Sequence, residues 1–172
     1  MLDAVLLIAA TAVGLAQLRT TLASPPPGSM TWPLTMRLYF QFAVAAPLML
    51  SWTAAVAVAC LVSPRPHGHL LGRRPGVVAA LVGSSWGVLT LAFTCLSNWK
   101  HLGLGHIFGP NGVFLWINVH YSVPPVVIGA WVTLKLAGVW ESDASWTDRG
   151  GRWLGFYWIF MYVAMWITYF LD

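Results

Sequence analysis

The sequence predicts an all-α fold, an integral membrane bundle of five transmembrane helices. Of its 172 residues, 58% are hydrophobic and only 8% are charged, whereas about 25% of the residues in a soluble domain carry charge. Five apolar stretches, each long enough to approach or exceed the ~20 residues that a helix needs to cross a bilayer, alternate with loops rich in proline, glycine or charge. The eleven tryptophans are typical of helices whose ends lie among lipid headgroups.

The predicted spans form a single domain, 1–172, and cover residues 3–22, 31–62, 76–98, 112–136 and 152–171. The second span is long and contains Pro47, which should kink its middle. In the third span, Gly83 and Gly87 have the four-residue spacing that allows another helix to approach closely. The polar segment 140–151 holds three of the five acidic residues and is therefore predicted as a loop.

Loop charges predict the orientation, because Lys and Arg concentrate on the cytoplasmic side of membrane proteins. An inside N-terminus places six of them in the cytoplasm: Arg65, Arg73, Arg74, Lys135, Arg149 and Arg152. Three lie outside: Arg19, Arg37 and Lys100. We therefore expect a multi-pass protein of the bacterial inner membrane. The net charge of +4 is scattered, which favours contact with anionic lipid and argues against a nucleic-acid partner.

The fourth span carries an ionisable residue, His120, about a third of the way along it. An ionisable group at membrane depth is costly and points to function, and the following Pro124 and Pro125 free backbone carbonyls that other groups must bind. The remaining histidines fall in connections: His67, His69, His101 and His106. A haem held by two histidines needs one on each of two helices, so no haem, no other cofactor and no metal site are predicted.

The second and fourth spans run in the same direction, so Thr35 and His120 are expected at similar depth. At 1.5 Å per residue, His120 lies about 9 Å below Phe114. A hydroxyl is a weak nucleophile that needs an adjacent base, and a neutral imidazole can accept its proton. A histidine that only hydrogen-bonds a carbonyl freed by the prolines explains the same residues, so both interpretations stay open here.

Three segments resemble the androgen-induced gene 1 family of integral-membrane hydrolases. HYSVPPVVIGAW, residues 120–131, is similar to the family's histidine helix, where a proline follows the histidine five residues later, as Pro125 follows His120. WPLTMRLYFQF, residues 32–42, is similar to its threonine segment, and ITYFLD, residues 167–172, resembles the end of a following span. Helix order and spacing match across essentially the whole chain.

The resemblance implies hydrolysis of esters of fatty acids with hydroxy fatty acids, with Thr35 as nucleophile and His120 as the catalytic base. Substrate binding is assigned to Arg37, Gln41, Trp116, Asn118 and Tyr121. Of these, Arg37 or Asn118 would hold a fatty carboxylate or a developing oxyanion. The chain departs from the family at Trp116, where the family has an asparagine, and at Tyr169, where it has a proline. The family usually has one more helix after the point where this sequence ends, and without it the pocket would be open or would be closed by a partner.

Two other functions fit the sequence. The chain could be an accessory subunit of a larger respiratory or photosynthetic membrane complex, or a homo-oligomer, with its aromatic fifth span packing against lipid, pigment or quinone. It could also be a non-catalytic lipid or quinone binder, in which His120 only hydrogen-bonds a carbonyl headgroup. The hydrolase interpretation predicts an apolar cavity for the lipid or fatty-acid ester, opening outward between the second and fourth helices.

Overall fold

The computed structural model describes residues 2–23, 45–62, 71–97, 112–141 and 145–171. Within these ranges the chain is helical apart from short turns and contains no strand, which confirms the predicted all-α class. The α-helices are α1 (Leu2–Ala23), α2 (Ala46–Val62), α3 (Pro75–Ser97), α4 (Gly112–Leu136) and α5 (Trp146–Leu171). A 3-10 helix, Leu71–Arg73, precedes α3.

For four of the five predicted spans, most of the predicted first and last residues match the ends of the helices. α1, α3 and α4 begin and end within about one residue of the predicted bounds, and α2 ends at Val62 as predicted. The part of the second span before residue 45 lies outside the described residues. Pro47 does not kink the middle of a helix, because the described helix begins at Ala46. In the first turn, proline's missing N–H costs nothing.

The predicted start of the fifth helix is wrong, because α5 begins at Trp146 rather than at residue 152. Ser145 caps the helix, since its Oγ accepts the N–H of Asp148 at 3.4 Å. A capped first turn lets acidic residues lie inside a helix start, where they also complement the helix dipole. The charged segment that indicated a loop is therefore partly the first turn of α5.

α3 and α5 lie side by side at the centre of the bundle and run in the same direction. Their first turns touch at Gly76 and Gly151, where a Cβ on either glycine would collide with the backbone of the other helix. Further along, a Cβ on Gly155 of α5 would lie 3.2 Å from the Cβ of Ala79 in α3. Only glycine permits so close an approach of two backbones.

α4 packs along α3 in the opposite direction. Near the end of α3, Thr90 shares a hydrogen bond of 2.9 Å with Ser122 in the first half of α4. At the start of α3, the Pro75 carbonyl accepts a hydrogen bond of 2.8 Å from the Trp131 indole in the second half of α4.

α2 also runs opposite to α3, and its side chains pack against the small residues of α3. A Cβ on Gly87 would lie 2.5 Å from Leu50 Cδ1, and one on Gly83 would lie 3.4 Å from Thr53 Cγ2. α1 packs mainly on α2, where the Trp52 indole donates to the Thr11 hydroxyl at 3.0 Å. Successive helices therefore alternate in direction, and α2 and α4 run parallel as the sequence predicts.

One buried carboxylate holds the end of the bundle where α3 and α5 begin, which we call the Asp148 end. Asp148 is fully buried, and its Oδ1 accepts the N–H of Gly76 at 2.8 Å. Its Oδ2 lies 3.3 Å from Nε of Arg152, one turn further along α5. The side chain thus satisfies an amide at the start of α3 that has no partner within its own helix.

Among the described residues, Pro75–Phe93 in α3 is the one segment that is both long and apolar enough to cross a membrane, with a mean hydropathy of 1.8 over 19 residues. Two other apolar helical segments, Ala4–Arg19 and Ala46–Val62, are shorter. The structure thus supports one possible membrane span by length and composition.

Candidate functional site

His120 lies in the middle of the bundle on a helix that continues through two prolines. α4 is unbroken across Pro124 and Pro125, although proline has no N–H to donate to the carbonyl four residues earlier. The side chain of His120 is fully buried, between Val119 and Val123, which are also fully buried. A polar ring is therefore held in an apolar core, where it needs polar partners.

One partner of His120 is the hydroxyl of Tyr157 on α5. The hydroxyl oxygen lies 3.3 Å from Nε2, and either atom can donate, depending on the tautomer of the ring. The Trp158 ring packs against the same imidazole, with 5.3 Å between ring centroids. α5 therefore supplies both a hydrogen bond and an aromatic wall that fix the orientation of the imidazole.

Trp158 also connects this cluster to α2. Its indole N–H donates to Thr53 Oγ1 at 3.2 Å, and the Thr53 hydroxyl donates to the Met49 carbonyl at 2.6 Å. Trp158 and Thr53 are both fully buried. The indole thus lies between α2 and α4 at the depth of His120, where the sequence interpretation expects part of a substrate cavity.

The described groove that reaches this cluster lies elsewhere, between α1, α2 and α5. It has a volume of about 390 Å³ and is lined by Leu7, Met49, Trp52, Val56, Trp146, Gly150, Trp153, Leu154 and Tyr157. We call it the α1–α2–α5 groove. It extends from the Asp148 end, at Trp146 and Gly150, to Tyr157. Tyr157 therefore belongs both to its wall and to the hydrogen bond with His120.

The predicted site residues fall into three groups. Thr35, Arg37 and Gln41 lie outside the described residues, so their contact with His120 stays a prediction. Trp116 lies in α4, but its side chain is outside the described part of the structure.

Asn118 and Tyr121 flank His120 along α4 and are exposed, Tyr121 by 43% of its surface. The structure does not bury them with the imidazole, because each position turns the helix by about 100°, so residues one or two positions from His120 point in other directions. Any substrate that they bind would contact the outer surface of α4.

Sequence reasoning missed the residues that surround the imidazole, namely Thr53, Tyr157 and Trp158. These residues could be found by comparing membrane depth along helices that run in opposite directions. α5 runs opposite to α4, so the middle of α5 faces the level of His120, and its residues there include Tyr157 and Trp158. Composition alone could not choose among the many aromatic residues of this helix.

Within the described residues, no group of three or more His, Cys, Asp or Glu side chains is placed to hold a metal ion. The chemistry that the cluster offers is hydrogen bonding and proton exchange between an imidazole and a phenol, next to an apolar groove. No family model matches the chain, and neither the curated proteins nor the solved structures compared with it include a significant match.

Proposed function

We propose that the chain is a multi-pass protein of the bacterial inner membrane whose five helices all cross the bilayer, with the N-terminus inside. Support comes from large apolar side chains that are 59–83% exposed, one example on each helix: Ile8, Leu61, Phe93, Leu136 and Phe160. Soluble proteins rarely expose extensive apolar surface, whereas lipid solvates it. The alternating helix directions suit repeated crossing.

We further propose that the α1–α2–α5 groove binds an acyl chain. Its volume of about 390 Å³ lies within the usual range for small-ligand sites, about 300–1,000 Å³, and such sites combine apolar walls with a few polar groups. Here the walls are apolar, and Tyr157 in the wall connects them to a polar pair, because its hydroxyl is hydrogen-bonded to His120. An acyl chain in the groove would bring its ester towards that end.

The reaction that fits this site is hydrolysis of a lipid ester. The observation that carries the proposal is the fully buried His120, hydrogen-bonded to a tyrosine that also lines the groove. Thr35 Oγ would attack the ester carbonyl carbon while His120 accepts its proton. The proton then passes to the leaving alcohol, and water releases the fatty acid from Thr35. Tyr157 would orient the imidazole.

Turnover of a fluorogenic medium-chain ester by the purified protein tests this proposal. We expect His120→Gln to lower turnover by about 10²–10⁴-fold, the usual contribution of general acid–base catalysis. Thr35→Ala should abolish a covalent acyl-protein adduct detectable by mass spectrometry. Turnover that is unchanged in both variants would overturn the proposal, and retained lipid without turnover would identify a non-catalytic binder.

Tyr157→Phe separates orientation from binding, because it keeps the ring in the groove wall and removes only the hydroxyl. We expect lower kcat with little change in KM, since the imidazole loses one of its fixed contacts. Tyr162→Phe is the matched control on the same helix, where the ring packs edge-on against Trp166 at 6.2 Å. Equal kcat losses in the two variants would contradict the orienting role.

A second candidate, an accessory subunit of a respiratory or photosynthetic complex, is favoured by the end of α5. Trp166 and Phe170 stack at 5.8 Å between centroids and are 40% and 76% exposed. This exposed pair of stacked rings can pack against a neighbouring helix or a pigment as well as against lipid. Purification in mild detergent distinguishes the candidates, because a subunit should elute with stoichiometric partners and the hydrolase alone or as a homo-oligomer.

A further inference from the structure

A second cleft lies on the outer face of α5 at the Asp148 end. Its volume is about 370 Å³, and it is lined by Arg149, Arg152, Trp153 and Phe156. These positions have the i, i+3, i+4, i+7 spacing that places side chains on one face of a helix. We call this surface the arginine–aromatic cleft.

The four side chains are ordered along α5 as the parts of a phospholipid are ordered across a leaflet. The arginines come first, in the first two turns, followed by Trp153, which is 76% exposed, and Phe156, which is 56% exposed. Arginine suits the phosphate level, tryptophan the headgroup boundary and phenylalanine the acyl region. Both aromatic rings keep more than half of their surface exposed, although Phe156 also packs edge-on against Trp131.

The charge of the cleft is complementary to an anion. Two arginines line the cleft, and the buried carboxylate of Asp148 lies 3.3 Å from Nε of one of them, Arg152. That ion pair fixes one guanidinium, while 30% of the Arg152 side chain stays exposed. Arg149 is exposed and lies near the positive end of the α5 dipole, where an anion is favoured and a cation is not.

We infer that this cleft binds the phosphate group of an anionic phospholipid of the cytoplasmic leaflet. Arg149 and Arg152 bind the phosphate, Trp153 packs beside the glycerol, and Phe156 contacts the first acyl carbons. The inference rests on the proposed membrane location and orientation, and it is independent of ester hydrolysis. A zwitterionic phospholipid has the same phosphate but adds a cation, which the two arginines repel.

Lipid titration of the purified full-length protein tests the inference. We expect native mass spectrometry and thermal shift to detect tighter binding of phosphatidylglycerol than of phosphatidylcholine, with affinity that falls as salt is added. Arg149→Gln should weaken phosphatidylglycerol binding about fivefold, as expected for one basic residue at a charged leaflet. The control is Lys135→Gln, which removes a cation outside the cleft, over the Trp140 ring.

Each remaining outcome overturns the inference. Equal binding of the two lipids, or equal losses in the two variants, would mean that the cleft has no selectivity beyond general surface charge. Stabilisation by inorganic phosphate that matches phosphatidylglycerol would assign the site to a free anion. Ester turnover by Arg149→Gln should equal that of the unaltered protein, so loss of hydrolysis and loss of lipid binding are separate results.

Discussion

Trp158 is the residue through which α2, α4 and α5 meet. Its indole donates to Thr53 on α2, and its ring packs against His120 on α4. Because the side chain is fully buried, its N–H can find a partner only within the protein. The bond to Thr53 therefore selects one orientation of the largest fully buried side chain among the described residues.

Thr53→Val removes this acceptor while keeping the shape of the side chain. We expect the free energy of unfolding to fall by about 1 kcal/mol, the scale of a hydrogen bond between helices in a membrane protein. Titration of the micelle-embedded protein with a denaturing detergent measures this. Thr133→Val is the control, because Thr133 is exposed and its hydroxyl donates to the Gly129 carbonyl of its own helix, at 2.8 Å.

If Thr133→Val destabilises the protein as much as Thr53→Val does, the bond between helices contributes nothing beyond the loss of any threonine hydroxyl. A loss confined to Thr53→Val supports the connection that Trp158 makes. The unfolding free energy of Trp158→Phe then checks the same bond from the donor side, although that change also removes part of a buried ring.

The position of His120 inside a span could be predicted from sequence, whereas its surroundings could not. A histidine in an apolar stretch is conspicuous, and the described ring is indeed buried. Helices that are apolar on every side carry no periodic signal that distinguishes the inner face from the outer one. The sequence therefore does not show that Tyr157 faces the interior while its neighbour on α5, Phe156, is exposed.

At the scale of elements, the crossing of α3 and α5 explains the early start of α5. Gly76 and Gly151 let the two first turns touch, and this contact brings the Asp148 carboxylate to an amide of α3. The sequence predicts a loop at Asp148, Gly150 and Gly151 because aspartate and glycine have low intrinsic helix propensity. Asp148 and its partner Gly76 are 72 positions apart in the chain.

Gly76→Ala tests this crossing. The added Cβ would collide with the Asp148 carbonyl oxygen, and backbone cannot move aside as a flexible side chain can. We expect the free energy of unfolding to fall by about 1–3 kcal/mol, as for other overpacked sites. Detergent-denaturant titration again supplies the measurement.

Gly129→Ala is the matched control within α4, because a Cβ there would meet nothing within 4 Å. Alanine in a helix interior should stabilise the protein by about 0.5–1 kcal/mol relative to glycine. The two substitutions should therefore have opposite signs. Two changes of the same sign and size would mean that α3 and α5 do not approach closely at Gly76.

For the whole molecule, the central pair of helices decides where a ligand can bind. α3 and α5 contact each other and each also packs against α2 and α4, whereas α2 and α4 share only a short contact in the described part of the chain. At the level of His120, the Trp158 indole lies between α2 and α4, where a cavity is expected. The α1–α2–α5 groove, in contrast, is open. The sequence predicts that α2 and α4 run in the same direction. The distance between them depends on which helices pack in the centre of the bundle, and the sequence does not predict that.

The same arrangement makes a testable prediction about the membrane. With an odd number of crossings and alternating directions, the 3-10 helix before α3 and the end of α5 lie on opposite sides. In a variant without the native cysteines, Gly72→Cys should react with an impermeant maleimide only after the membrane is opened, because Gly72 is exposed on the predicted cytoplasmic side. A reporter fused after α5 that is active only outside the cytoplasm should be active.

The opposite result at both positions would invert the orientation inferred from the Lys and Arg count. Reaction at Gly72→Cys in intact cells together with an active reporter would place both positions on the same side of the membrane, outside the cytoplasm. One of α3, α4 and α5 would then fail to cross. Among the described residues, α3 is the helix whose length and hydropathy suffice on their own. The helix that does not cross would therefore be α4 or α5, and the membrane depth assigned to His120 and Tyr157 would be wrong.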